Sequence, residues 1–287
     1  MDRDSLVKIF DETLTIINED KSYETPSGKI IDFQPVGETF VYTKKQTPPN
    51  RNGKYKSTNV IVVDNDCLYA AEEFVKEKSK CAVLNMASFI KPGGGVLRGS
   101  AAQEESLFRR TNLSSSLYRF DEKMFDKVGY DKPELGIYPL PINFGAIYSK
   151  DITVFRTSER TDTCRLMDNP FMVDVITISA IKNPPLDENK KMLGWVREIL
   201  EKKVEMMLDL CLIHDVDVPI LGAFGCGAYG TPPEQMAEIF KKVIAFEKYQ
   251  GAFKAIVFPV IDDHNSHKGH NPEGNFKPFH DILTTQA

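Results

Sequence analysis

Six short apolar runs constrain this chain most: Val60–Val63, Ala82–Asn85, Thr153–Phe155, Val173–Ile178, Val218–Leu221 and Ala255–Val260. They are rich in β-branched residues and read as continuous apolar stretches rather than alternating ones. That is the pattern of strands covered on both faces. Helical stretches lie between them. Tyr69–Lys78 is one, and Lys190–His214 is a long second, whose stripe from Met192 to Leu212, Trp195 included, reads as helix core. Gln235–Phe246 carries Met236, Ile239, Phe240, Val243 and Ile244 at helical spacing. Strands alternating with helices predict an α/β layered domain with a mixed, largely parallel sheet.

The first part of the chain reads differently. Ser5–Ile17 places Leu6, Ile9, Phe10, Leu14 and Ile17 on one helical face, and Tyr23–Lys29 has turn chemistry between short strands. Lys44–Lys56 is polar, with two prolines. The expected organisation is therefore an N-terminal helical and hairpin extension over residues 1–56, followed by a main domain over residues 57–287. Asp121–Pro141, polar and punctuated by prolines, is expected to be a long loop with a short helix.

At 287 residues and 41% hydrophobic composition, the chain is long enough to bury a core without disulfide staples. Its five cysteines, Cys67, Cys81, Cys164, Cys211 and Cys226, contain no C-x-x-C pair, so neither a disulfide framework nor a structural zinc site is indicated. The first residues lack the apolar core of a signal peptide and no apolar run is of membrane-spanning length, which predicts a cytoplasmic protein (or a nuclear one, in a eukaryote) with no membrane partner. A net charge of −5 weighs against general or sequence-specific nucleic-acid binding. A monomer is expected.

The most informative segment runs from Asn85 to Glu105. A buried strand ends at Asn85, a loop carrying Gly93, Gly94 and Gly95 follows, and a helix begins. Ser100 and Gln103 fit an S-x-x-Q capping box, which puts Glu104 and Glu105 in the first turns of that helix. Successive glycines let the backbone approach a ligand and aim N–H groups at it. The two glutamates have a plain reading, favourable interaction with the helix dipole, and a sharper one, acid/base or orienting chemistry on a ligand held by the glycines.

A second loop, Gly222 to Gly230, follows the Val218–Leu221 run. Thr231, Pro232 and Glu234 then read as N-cap, first helical residue and the end of a T-x-x-E box. Strand, glycine loop and helix start together favour phosphate. Gly225, Gly227 and Gly230 also spell G-x-G-x-x-G, but too little chain follows for the remaining units of a dinucleotide-binding domain, and Asp262 and Asp263 lie beyond the usual ribose-binding offset.

The three glycines, then seven residues, then Gln103-Glu104-Glu105, resemble the signature of the macrodomain-type poly(ADP-ribose) glycohydrolases. The Gly225–Tyr229 loop and the stretch from Asp11 through Tyr23 to Gly28 are similar to the microbial members. The resemblance implies a macrodomain-like three-layer α/β/α fold and hydrolysis of ribose–ribose bonds in poly(ADP-ribose), with reversal of ADP-ribosylation, as in a DNA damage response, as the setting. It assigns Glu105 as general acid/base and Glu104 as the residue that orients ribose hydroxyls. It places Asp66 at the adenine amino group, Asn85 at the end of the strand before the loop, and Gly93, Gly94, Gly95, Val96 and Gln103 around the distal ribose and diphosphate. Gly225, Cys226, Gly227 and Ala228 would face the diphosphate, Tyr229 would pack beside the ribose, and Phe258 is the candidate to stack on adenine. Asn275 and Phe279 resemble the family's closing pattern. The substrate would be poly(ADP-ribose) or ADP-ribosylated proteins, with no cofactor and no metal.

Two other functions remain open at this level: a non-catalytic ADP-ribose-binding domain in which the glutamates only cap a helix, and a hydrolase of mono-ADP-ribosyl links or small ADP-ribosyl metabolites. His264, His267 and His270 repeat every three residues, but their segment is rich in Asn, Gly, Ser and Lys and reads as a solvated loop. Cys226 has no His or Asp nearby in sequence to activate it and reads as a small loop residue.

Overall fold

The computed structural model describes residues 1–284. Its main sheet has seven strands in the order β3-β6-β7-β5-β8-β9-β4, and the strands are β3 (Thr39–Tyr42), β4 (Asn59–Val63), β5 (Cys81–Met86), β6 (Ala146–Arg156), β7 (Leu166–Ile178), β8 (Val218–Ile220) and β9 (Ala255–Pro259). The sheet is mixed and largely parallel, as the alternation of strands and helices predicts. The strands β4 and β9, β5 and β8, and β8 and β9 pair in parallel, with Val60 opposite Ile256 and Val83 opposite Ile220. All six apolar runs are strands. β6 and β7 extend well beyond the apolar runs that mark them, since polar residues such as Lys150, Asp151 and Asp168 interrupt the apolar pattern within the strands. The edge strand β3, Thr39-Phe40-Val41-Tyr42, is only half-buried and falls in the stretch read as an N-terminal extension rather than among the six runs.

One compact unit comprises Met1–Val41, Asn85–Pro141 and Ala146–Thr177. It opens with α1 (Arg3–Thr15), capped by Asp2, whose carboxylate accepts the Ser5 N–H at 2.8 Å. A π-helical turn follows (Ile16–Asp20), and then the two-stranded hairpin β1 (Ser22–Glu24) and β2 (Ile30–Asp32). Phe10 of α1 lies 6.3 Å from the ring of Phe108 and 6.2 Å from that of Tyr118, and all three side chains are buried. Helices α3 (Gln103–Arg110) and α4 (Leu113–Leu117) belong to this unit. The Asp121–Pro141 segment contains one short 3₁₀ helix, Phe125–Val128, in keeping with the long loop and short helix expected there.

The second unit comprises Tyr42–Leu84, Ile142–Gly145 and Ile178–Ala287. It carries α2 (Cys67–Lys76), α5 (Gly194–Ile213), α6 (Pro233–Ile244) and α7 (Phe276–Thr284). Phe240, Phe258 and Phe279 form its aromatic core, with the Phe240 and Phe258 centroids 4.9 Å apart. Helix α5 starts later than its periodicity suggests. Lys190 adopts φ +60° and the Lys191 N–H is taken by the Asp187 carboxylate, so residues before Leu193 form a turn. Trp195 is 49% exposed rather than part of the helix core; Val196, Leu200, Val204 and Met207 form the buried stripe. Among the described residues, no helix is long and apolar enough to cross a membrane.

Candidate active site

Strand β5 delivers Asn85, which is fully buried, and the following residues turn into the glycine loop. The Asn85 amide donates to Thr177 Oγ1 at 3.2 Å and its side chain hydrogen-bonds Glu104, while its Oδ1 has no partner among the described residues. Beyond the glycines, a 3₁₀ turn (Val96–Arg98) with Val96 buried beneath it leads to α3.

The start of α3 departs from the capping box. The helix begins at Gln103 with Ala102 as N-cap, and no side chain caps it. Gln103 Oε1 instead accepts the Met86 N–H at 2.9 Å, tying the helix start to the end of β5. The glutamates do fall in the first turn, and each reaches back to the loop. Glu104 Oε2 accepts from Ser88 N at 2.7 Å and its Oε1 from Gly93 N at 3.0 Å. Glu105 Oε1 accepts from Gly95 N at 2.7 Å, and its Oε2 has no hydrogen-bond partner among the described residues.

Gly94 sits between the two carboxylates. Its φ of +51° lies in the left-handed region, and a Cβ there would come within 2.7 Å of Glu105 Oε1 and 2.9 Å of Glu104 Oε2. Both glutamates are buried, and the Glu104 carboxyl is pushed up to about 8. Burial is the main cause, and the charge of Glu105 adds to it; the hydrogen bonds from Ser88, Gly93 and Asn85 oppose it. At neutral pH Glu104 therefore holds a proton.

In the second unit, the loop after β8 differs from the sequence expectation at its far end. Thr231 is not the N-cap of α6: Pro232 occupies that position and Pro233 opens the helix. Thr231 is buried, with its hydroxyl packed under Gly225, where an added Cβ would lie 2.6 Å from Oγ1 and 2.8 Å from Ala180. Gly225 has φ +77°, so the turn needs glycine for both its dihedral angle and its close packing. Gly227 and Tyr229 are half-buried and Ala228 is exposed at the tip.

Cys226 is fully buried and its thiol is held well above the ordinary range by burial. Such a thiol stays protonated and unreactive. Its backbone carbonyl is what the surroundings hold: His270 Nε2 lies 2.8 Å from it and the Asn271 amide donates to it at 3.3 Å. Asn271 also donates to the Asn265 carbonyl and Asn275 Oδ1. Asp262 Oδ1 accepts the N–H of Asn275 and the hydroxyl of Ser266. The segment from Asp262 to Asn275 is thus an ordered loop fastened to the glycine loop, not merely solvated chain. Sequence reading set His270 aside as part of a solvated loop and missed Asn271, because the carbonyls they hold, of Cys226 for both and of Asn265 for Asn271, come within reach only in the fold. Among the described residues, no group of three or more His, Cys, Asp or Glu could hold a metal ion.

Asp66 is the N-cap of α2, its Oδ1 accepting from Leu68 N at 3.0 Å and Tyr69 N at 3.1 Å. Phe258 does not fit the stacking role expected of it. Its ring is 0% exposed between Phe240 and Phe279, and a ring with no open face cannot receive a base. Phe279 is buried in the same cluster.

The sequence model of the family described as "Microbial-type PARG, catalytic domain" matches residues 11–157. The chain belongs to that family. Solved microbial PARG structures agree with the assignment. The poly(ADP-ribose) glycohydrolase of Thermomonospora curvata superposes with a TM-score of 0.76 at 26% identity, over 98% of this chain and 100% of that one. The same enzyme bound to the inhibitor ADP-HPD gives 0.74 at 26% identity, covering 96% and 98% of the two chains. The PARG of Deinococcus radiodurans in complex with ADP-ribose gives 0.61 at 25% identity, covering 83% and 88%. No curated protein matches the sequence.

Proposed function

We propose that this PARG-family chain is a poly(ADP-ribose) glycohydrolase, hydrolysing ribose–ribose O-glycosidic bonds of poly(ADP-ribose) and of poly(ADP-ribosyl)ated proteins to release ADP-ribose. The observation that carries this reading is the unequal pair of carboxylates at the start of α3. Glu104 uses both oxygens on loop N–H groups, whereas Glu105 uses one and keeps the other for substrate.

Cleavage through an oxocarbenium-like state needs an acid to protonate the departing ribose oxygen and a base to activate water. Glu105 fits both tasks in turn: protonated, it gives its proton to the leaving oxygen, and as the anion it receives one from the incoming water. Its contact with Gly95 N fixes one oxygen and so orients the other. Glu104, buried and protonated at neutral pH, has lone pairs left over for ribose hydroxyls. Gly225 and Gly227 offer backbone N–H groups to the diphosphate, whereas the Cys226 N–H is taken by the Ala223 carbonyl at 3.1 Å. Asp66 and Tyr229 add contacts to the nucleotide, and the fully buried Asn85 acts through its hydrogen bond to Glu104. The chain is read as acting in the cytoplasm as a monomer, without a metal or cofactor.

The deciding experiment incubates poly(ADP-ribosyl)ated protein with the parent and with Glu105→Gln and follows free ADP-ribose by chromatography. Release by the parent, with a rate lower by about 10²–10⁴-fold in the variant, supports the reading. Tight ADP-ribose binding by both with release by neither would make the protein a binding module.

A further inference from the structure

Helix α3 has no side-chain cap at its start, yet its first turn must hold Glu105 in a fixed place. The contacts around Arg109 show how. Residues 105 and 109 share a helix face one turn apart, and helical side chains lean toward the N-terminus. Arg109 accordingly reaches back along α3, completely buried, and its Nη1 donates to the Ser100 carbonyl at 2.8 Å. Ser100 N donates to the Gly95 carbonyl at 3.3 Å, and Ser100 Oγ packs so closely on Gly95 that a Cβ there would lie 2.3 Å from it. Gly95 N in turn donates to Glu105. The contacts close a ring: Arg109 to Ser100, Ser100 to Gly95, Gly95 to Glu105, and Glu105 back to Arg109 through one helical turn.

The guanidinium is held from outside this ring. Nε and Nη2 both donate to the Glu159 carboxylate, the second at 3.0 Å, a bidentate pair whose fork fixes the plane of the group. The Arg109 carbonyl is also held, by the Thr13 hydroxyl of α1 at 2.7 Å. We propose that Arg109, clamped by Glu159, is a positioning residue for Glu105: it locks Ser100 and Gly95 in register so that the Glu105 carboxylate stays aimed for proton transfer. The inference rests on the proposed glycohydrolase function. Proton transfer tolerates little displacement, since misplacing a reacting group by about 1 Å can reduce a rate by about 10²-fold.

Glu159→Gln retains the shape of the pair and removes its charge. Arg109→Met/Glu159→Leu removes both charges together, which commonly preserves folding where loss of one buried charge does not. For each variant, kcat, KM and ADP-ribose affinity are measured, with thermal melting and the amide hydrogen exchange of Gly95 against that of Val60–Val63. We expect kcat to fall about 10–100-fold, KM and ADP-ribose affinity to stay within about threefold, and Gly95 to exchange at least about tenfold faster while Val60–Val63 are unchanged. A double variant that melts like the parent, turns over like the parent and protects Gly95 like the parent would overturn the proposal and leave the pair as a folding contact. A parent that releases no ADP-ribose while Gly95 still responds to the variants would overturn the functional reading alone.

Discussion

Glu105 Oε1 accepts the backbone N–H of Gly95 at 2.7 Å, so the carboxylate assigned to proton transfer is also a structural ligand of the loop that would cradle its substrate. Neighbouring Glu104 does the same for Ser88 and Gly93. The loop and the helix start are therefore one unit, and a change to either moves the other.

Gly94 gives the most direct check of that coupling. Gly94→Ala places a methyl group against both carboxylates and forces an L-residue to φ +51°. The conformational strain alone costs about 1–2 kcal/mol. Gly129→Ala carries a similar strain at φ +81° but meets nothing within 4 Å. Both variants should melt a few degrees lower, and only Gly94→Ala should lose ADP-ribose release, by about 10²-fold or more. Melting curves and initial rates for the two decide the matter.

The proton on Glu104 has a stability signature. The group titrates at 4.5 as a free side chain and at about 8 in the folded protein, because burial and Glu105 disfavour its charge. The folded state therefore binds the extra proton across that window, and stability falls as pH rises from about 4.5 through about 8. Glu104→Gln removes the titration. Between pH 5 and 9 the parent's melting temperature should drop more than that of the variant, by roughly 5 °C or more. Parallel pH dependences would refute the assignment.

The five free cysteines should not react alike. Cys67 alone is partly exposed, and the other four are buried. Alkylation of the native protein at pH 8, followed by peptide mass spectrometry, should label Cys67 well before Cys226, whose thiol burial holds well above the ordinary range. Labelling of Cys226 at the rate of a free thiol would show that the loop opens or that the thiol is activated.

Asn271 ties three acceptors together through one buried amide: the Cys226 carbonyl, the Asn265 carbonyl and Asn275 Oδ1. Asn271→Asp keeps the shape and replaces the donor with a carboxylate facing those oxygens. The variant should lose about 3 kcal/mol of stability, as the buried acceptors go unsatisfied, and its affinity for ADP-ribose should fall by about tenfold. Denaturant titration and calorimetric binding measure both; unchanged affinity would separate the Asp262–Asn275 loop from the ligand site.

The strands and both glycine loops were legible in the sequence because buried parallel strands and tight turns leave local patterns: apolar β-branched runs, and glycines in succession. The placement of Glu104 and Glu105 in the first turn of α3 was legible for the same reason, being a matter of a few residues' spacing. The family could be read from those same residues, and the match over residues 11–157 agrees. What the sequence misjudged depends on where side chains end up. Ser100 and Gln103 have the letters of a capping box, but Gln103 finds a better partner in Met86 N, on a strand that the helix meets only in the fold. Thr231 likewise has the composition of an N-cap and is spent packing under Gly225. Phe258 looks available at the end of its strand until Phe240 and Phe279 close over it. Hydrogen bonds and burial are satisfied by whatever lies nearest in space, and a side chain with two possible partners takes the one the tertiary structure brings. That is why Arg109 and Glu159, 50 residues apart in sequence, became a pair only in the folded molecule.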